Sequence, residues 1–286
     1  MPKAARVLLY ALPLLLTSGD ALAWGLQTHV YFAQLLIWAV PLLDPALRRA
    51  VLHHPRLAMA GACMPDLALV GPRLGSNAFA QTHRWTSAHD LLVDASDEAE
   101  QAIAVGYASH LLVDVIAHNH FVPAHEKLLV DIPWLTHVSV EWAMDAHVVR
   151  HAFAQPAAVL LEHELHVADF AARHFGCSGR LALRAVRLLG QADHGLRRSR
   201  IPEACYRLLR LDRTLQQRFD DYIQATTRRL AQLNRVLNQE SPVWEAELNC
   251  PQTKKARLKP FSRAELRRLL PLPHDLFHPE EARLAA

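Results

Sequence analysis

Two pairs of side chains in this sequence repeat one chemical arrangement: His110-x-x-x-Asp114 and His137-x-x-x-Glu141. On a helix, residues four apart stack on one face about a turn apart, so the imidazole and carboxylate of each pair can bind one metal ion. His120 follows Asp114 by six residues, near the expected helix end, where the chain can turn toward a second ion. His118, two residues earlier, is close enough to substitute for it. A single such pair is more often a hydrogen bond on a solvated helix face. Here the apolar neighbours Leu111, Leu112, Val113, Val115 and Ile116 oppose that explanation, because buried polar side chains need partners. Imidazole is the abundant resource, with 18 histidines against four cysteines. Cys63, Cys177, Cys205 and Cys250 contain no C-x-x-C pair, so buried thiols or up to two disulfides fit them better than thiolate ligation.

The elements that must position these side chains read as helices. Helical period runs over residues 28–40 and from a cap at Ser96, followed by Asp97, Glu98 and Glu100, to about residue 117. It resumes over residues 133–150, and from Pro202 in one long amphipathic stretch to about residue 238. Residues 64–82 have neither helix nor strand period and are expected to form an exposed connection. Strand alternation is nearly absent, so an all-α, multi-helix single domain is expected, with the metal ligands meeting between helices. The formal net charge of +3 and a charged fraction of 21% exclude a disordered tail protein and a dedicated nucleic-acid coat.

Residues 1–23 read as a secretory signal: Lys3 and Arg6 precede an apolar run over residues 7–17, and Ala21-Leu22-Ala23 forms a cleavage box. The run is shorter than the roughly 20 residues a membrane-spanning helix needs. Cleavage at Ala23/Trp24 is expected to release a secreted or periplasmic protein. Its helical domain would cover residues 24–240, followed by a Pro-rich, basic extension over 241–286 that carries Lys254, Lys255, Arg257 and Lys259 and lies on the surface.

These motifs resemble the superfamily of bacterial zinc-dependent phospholipases C and fungal and plant zinc-dependent single-strand nucleases. The resemblance covers about residues 24–146. Its members start, after signal removal, with a tryptophan whose amine and carbonyl oxygen chelate zinc. A terminal amine has a free pKa of only ~7.7–8.0, so metal can displace its proton near neutrality. The resemblance implies about three zinc ions: one on Trp24, His29 and Asp114, a second on Asp66, His83, His110 and the bridging Asp114, and a third on His120, His137 and Glu141. His83 in Thr82-His83-Arg84-Trp85 looks like the phospholipase histidine, whereas His89 in Ser87-Ala88-His89-Asp90 resembles the nuclease version; His83 is preferred. His53, His54, His118, His125, His147, His151, His163 and His166 match no ligand position.

The implied reaction is hydrolysis of a phosphodiester by metal-activated hydroxide attacking phosphorus, with Asp66 orienting the water or shuttling its proton. Glu141 sides with the phospholipases, and the Trp24-Gly-x-x-x-His29 spacing with the nucleases. Gln27 and Leu67 stand where choline-selective members carry an acidic and an aromatic residue, which argues against quaternary ammonium recognition. The expected substrate is a phospholipid, with peripheral membrane contact and no obligate protein partner evident. A single-strand nuclease and a non-catalytic zinc-binding protein are the alternatives.

Overall fold

The computed structural model describes residues 25–129, 133–246, 261–268, 270 and 272–278. Among them the fold is all-α: α1 (Leu26–Ala39), α2 (Pro45–His53), α3 (Pro55–Gly61), α4 (Trp85–Asp94), α5 (Glu98–Ile116), α6 (Val122–Leu128), α7 (Pro133–Val148), α8 (Pro156–Glu162), α9 (Glu164–His174), α10 (Gly179–Ser199), α11 (Ile201–Leu209), α12 (Leu215–Arg229), α13 (Leu233–Leu237) and α14 (Arg263–Arg268). None of these helices is long and apolar enough to cross a membrane. Cys63, Cys177 and Cys205 are free thiols, and Cys250 lies outside the described residues, as do residues 1–24.

Helix α5 is the buried axis against which α1–α4 and α13 pack. Its start is fixed reciprocally: Asp97 accepts the Glu100 amide at 2.9 Å, and Glu100 reaches back to accept the Ser96 amide at 2.9 Å. From Ala102 to Ile116 every residue is buried, so no face is left to solvent and polar residues on it must find partners inside. Two glycines set how closely α3 crosses it. A Cβ at Gly106 would lie 1.9 Å from the Ala58 carbonyl oxygen, and one at Gly61 would lie 2.1 Å from that of Ile103. Only hydrogen fits at either crossing point.

Helical path does not stop at residue 117. It continues through a π turn (Ala117–Phe121) directly into α6. The stretch expected to run unbroken from Pro202 to residue 238 is instead three helices. Asp212 takes the Thr214 amide at 3.0 Å and its hydroxyl at 2.7 Å, a local side-chain turn that competes with helix and breaks it after α11.

Residues 64–82 are not an exposed connection. Met64, Asp66, Leu67 and Phe79 are buried, and Thr82 Oγ1 donates to the Pro65 carbonyl at 2.5 Å. Short helical turns satisfy the backbone without leaving a period long enough to read. The described residues after 240 pack on the helical body. Trp244, Leu266 and Leu276 are buried, Val243 donates its amide to Leu276 at 2.8 Å, and Arg229 Nε donates to Pro273 at 2.6 Å. The basic run Lys254, Lys255, Arg257 and Lys259 falls outside the described residues.

Candidate metal centre

Four segments bring five imidazoles and three carboxylates together. His29 comes from the first turns of α1, Asp66 and His83 from the two ends of the 64–82 segment, and His110, Asp114 and His118 from α5 and its π turn. His137 and Glu141 come from α7. They form three groups, His29/His110/Asp114, Asp66/His83/His110 and His118/His137/Glu141, within each of which the ligand atoms lie within 4.8 Å of one another.

Asp114 is the hub. Its Oδ1 lies 3.2 Å from His29 Nε2 and 3.8 Å from His118 Nε2, and its Oδ2 lies 2.9 Å from His110 Nε2 and 3.3 Å from His83 Nε2. Asp66 Oδ1 stands 3.6 Å from His83 Nε2. Glu141 Oε1 stands 2.9 Å from His137 Nε2 and 3.2 Å from His118 Nε2. Zinc bonds of about 2.0–2.1 Å at tetrahedral angles place neighbouring ligand atoms about 3.3 Å apart, and most of these separations bracket that edge.

Two of the imidazoles, His110 and His118, are aimed as metal ligands must be. His110 Nδ1 is 2.7 Å from the Ala62 carbonyl, and His118 Nδ1 is 3.0 Å from that of Ala246. A carbonyl at Nδ1 requires the proton there and leaves the Nε2 lone pair facing the centre. The Nε2 atoms of His83 and His110 meet at 3.3 Å, close enough to share a proton or, in its place, a cation.

The charge balance points the same way. Both oxygens of Asp66 and Glu141 Oε2 are buried without a hydrogen bond. Among the described residues no lysine or arginine pairs with Asp66, Asp114 or Glu141. Burial pushes the Asp114 carboxyl up, but His110, His118 and His29 outweigh it and hold it well below the usual range. Burial likewise opposes ionisation of Glu141, and His137 and His118 bring it down to about 2. His83 moves the other way: burial disfavours its charge, yet the carboxylates of Asp114 and Asp66 beside it raise it to about 10. Carboxylates kept ionised in a dry interior by imidazoles alone are an anionic cradle suited to divalent cations. The donor set of nitrogen and oxygen fits zinc.

A family description of zinc dependent phospholipase C matches residues 28–180, just over half of the chain. The chain belongs to this zinc-dependent phospholipase C family. Comparisons with curated proteins and with solved structures return no match. The matched stretch holds every group of the cluster, and membership makes the chain a zinc hydrolase of the phospholipase C and nuclease-like kind, with three clusters able to coordinate zinc.

Among the residues singled out from sequence, His29, Asp66, His83, His110, Asp114, His137 and Glu141 lie in the cluster, and Trp24 lies outside the described residues. His120 does not stand with His137 and Glu141; His118 does. Because the helix runs on through the π turn, the residue four after Asp114 stays on the metal face. His120 is in none of the three groups; its buried ring stands edge-on to Trp244 at 5.4 Å. His89 lies on α4 in none of the three groups, because a helix that starts at Trp85 leaves only His83, before its first turn, at the centre.

One buried residue near the cluster had gone unread. Asp145, one turn beyond Glu141, accepts the amides of Thr28 at 2.9 Å and Gln27 at 3.3 Å. It caps α1 from α7 and so fixes where His29 begins. Continuing the i, i+4 series His137, Glu141, Asp145 was the signal that could have found it.

Proposed function

We propose that the chain is a secreted or periplasmic phosphodiesterase of phospholipase C type, cleaved at Ala23/Trp24, that hydrolyses a phospholipid at its metal centre. The observation that carries this reading is the convergence of Asp66, Asp114 and Glu141 with five imidazoles in one buried site, in a chain of this family. Zinc held by such ligands stabilises charge on a phosphoryl oxygen and lowers the pKa of bound water toward ~7.

The protein residues then have separable roles. His29, His83, His110, His118, His137, Asp114 and Glu141 hold the ions, Asp114 between two groups. Asp66, whose oxygens carry no hydrogen bond, is free to take the proton of the attacking water and orient it for in-line attack at phosphorus, besides ligation. A Cβ at Gly25 would lie 3.7 Å from Glu141 Cβ, so the backbone next to Trp24 runs beside the cluster. That proximity supports the freed Trp24 amine and carbonyl as further ligands with His29 and Asp114. One residue added before Trp24 is then expected to remove one zinc per chain, and unaltered metal content would refute the terminal-amine role.

The reading is tested by offering the zinc-loaded, processed chain phospholipid vesicles and single-stranded DNA. Release of diacylglycerol without nucleotides is the expected result. Nucleotides without diacylglycerol would make the chain a nuclease, and neither product would make it a zinc-binding protein without turnover. Asp66→Asn is expected to abolish hydrolysis.

A further inference from the structure

We infer that residues 241–246, which lie beyond the family-matched stretch, are a built-in part of the metal centre: a strap that fixes the direction and tautomer of His118. Three consecutive carbonyls of this segment are each engaged by a side chain of the site wall. Trp244 O accepts from Trp85 Nε1 at 2.9 Å, Glu245 O from Asn119 Nδ2 at 3.1 Å, and Ala246 O from His118 Nδ1 at 3.0 Å. Trp244 also closes over the ring of His120. Along the strap Pro242, Trp244 and Ala246 are buried and Ser241, Val243 and Glu245 exposed, so every second residue is covered by the body of the protein.

The two best-positioned imidazoles of the centre differ in where their orienting carbonyl comes from. His110 is oriented by Ala62, at the end of α3 and locked in place by the glycine crossing with α5. His118 sits in a π turn, a wider and weaker helical geometry, and takes its carbonyl from a segment 128 residues away in sequence. Without Ala246, Nδ1 and Nε2 of His118 would both be open to protonation, and either could face Glu141. With it, Nε2 alone is presented to Glu141 Oε1 at 3.2 Å. The strap is therefore a positioning element of the His118/His137/Glu141 group rather than a ligand.

This inference rests on the metal reading of that group. Its test is zinc content per chain, with and without strap contacts. Trp85→Phe keeps the ring and deletes the donor to Trp244; Trp244→Ala unseats the strap itself. Losing an orienting partner of a ligand weakens metal binding about 10–100-fold, so after equilibration at limiting free zinc each variant should hold one ion fewer than the wild type. The coupling is reciprocal: in the unaltered chain, stripping zinc with a chelator should speed amide hydrogen exchange across residues 241–246, a measurement that stands even if Trp244→Ala fails to fold. Variants that keep full zinc content beside a wild type holding about three ions would overturn the strap and leave the proposed function intact, as would exchange indifferent to zinc. A wild type that holds no zinc would overturn both.

Discussion

Two buried carboxylates, Glu141 and Asp145, lie one helical turn apart on α7, and they belong to sets that the protein treats differently. Asp145 is closed by its own surroundings: the Thr28 hydroxyl donates at 2.6 Å, two amides of α1 add to it, and Arg197 stands 3.6 Å away, itself paired with Asp193 at 2.9 Å. Asp66, Asp114 and Glu141 have imidazoles and, among the described residues, no guanidinium or ammonium. A fold able to close one set of lone pairs from within has left the other open. The open set is thus a property of a site, because structural carboxylates in the same interior are satisfied.

The contrast is broken most sharply by Asp114→Asn. Three imidazoles within 3.3 Å lose their anion, and the variant is expected to retain less than half the wild-type zinc and no measurable hydrolysis, read by metal analysis and phosphodiester assay. Arg197→Met attacks the closed set instead. It strands Asp145 and Asp193 in the interior, at a cost of about 3 kcal/mol or more in denaturant unfolding, while zinc per folded chain stays unchanged. If Arg197→Met emptied the zinc and Asp114→Asn only lowered stability, the two sets would have been assigned the wrong way round.

A finer comparison lies within the π turn. His118→Ala is expected to remove one zinc per chain. His120→Ala is expected to keep the full zinc content and to show only a packing loss of about 1 kcal/mol, measured by the same two methods.

The comparison extends to pH. In zinc-free protein the His83 pKa is raised to about 10 by Asp114 and Asp66, above its unfolded value of about 6.5. The stability it contributes is complete below about pH 6.5 and is lost as pH rises toward 10. Glu141, depressed to about 2 by His137 and His118, contributes above about pH 4.5 and loses that contribution as pH falls toward 2. Melting temperature of the chelated protein should therefore fall between about pH 7 and 10. The zinc-loaded form should resist that fall, since the ion replaces the proton at His83.

What could be read from sequence follows from how local each arrangement is. His110 with Asp114, and His137 with Glu141, are legible because both partners ride one helix and the spacing itself makes the geometry. Asp66 and His83 sit on a segment without period, so residue type and spacing could not place them, and only the resemblance to the zinc-dependent phospholipases and nucleases did. A helix expected to end near residue 117 favours His120 over His118; nothing in Ala-His-Asn-His-Phe marks a π turn that carries it onward. The strap over residues 241–246 is too short for its alternation to stand out in a Pro-rich tail, and its contacts use backbone carbonyls, which every residue has. The all-α architecture was legible from helical period, but the break at Asp212 and the burial of residues 64–82 were set by tertiary contacts that no window of sequence contains.

Anomalous scattering at the zinc edge, from crystals of the processed chain, tests the central claim most directly. The account predicts three peaks: one beside His29 and Asp114, one among Asp66, His83 and His110, and one among His118, His137 and Glu141. A map with no peak among these side chains, in a folded protein, would contradict it.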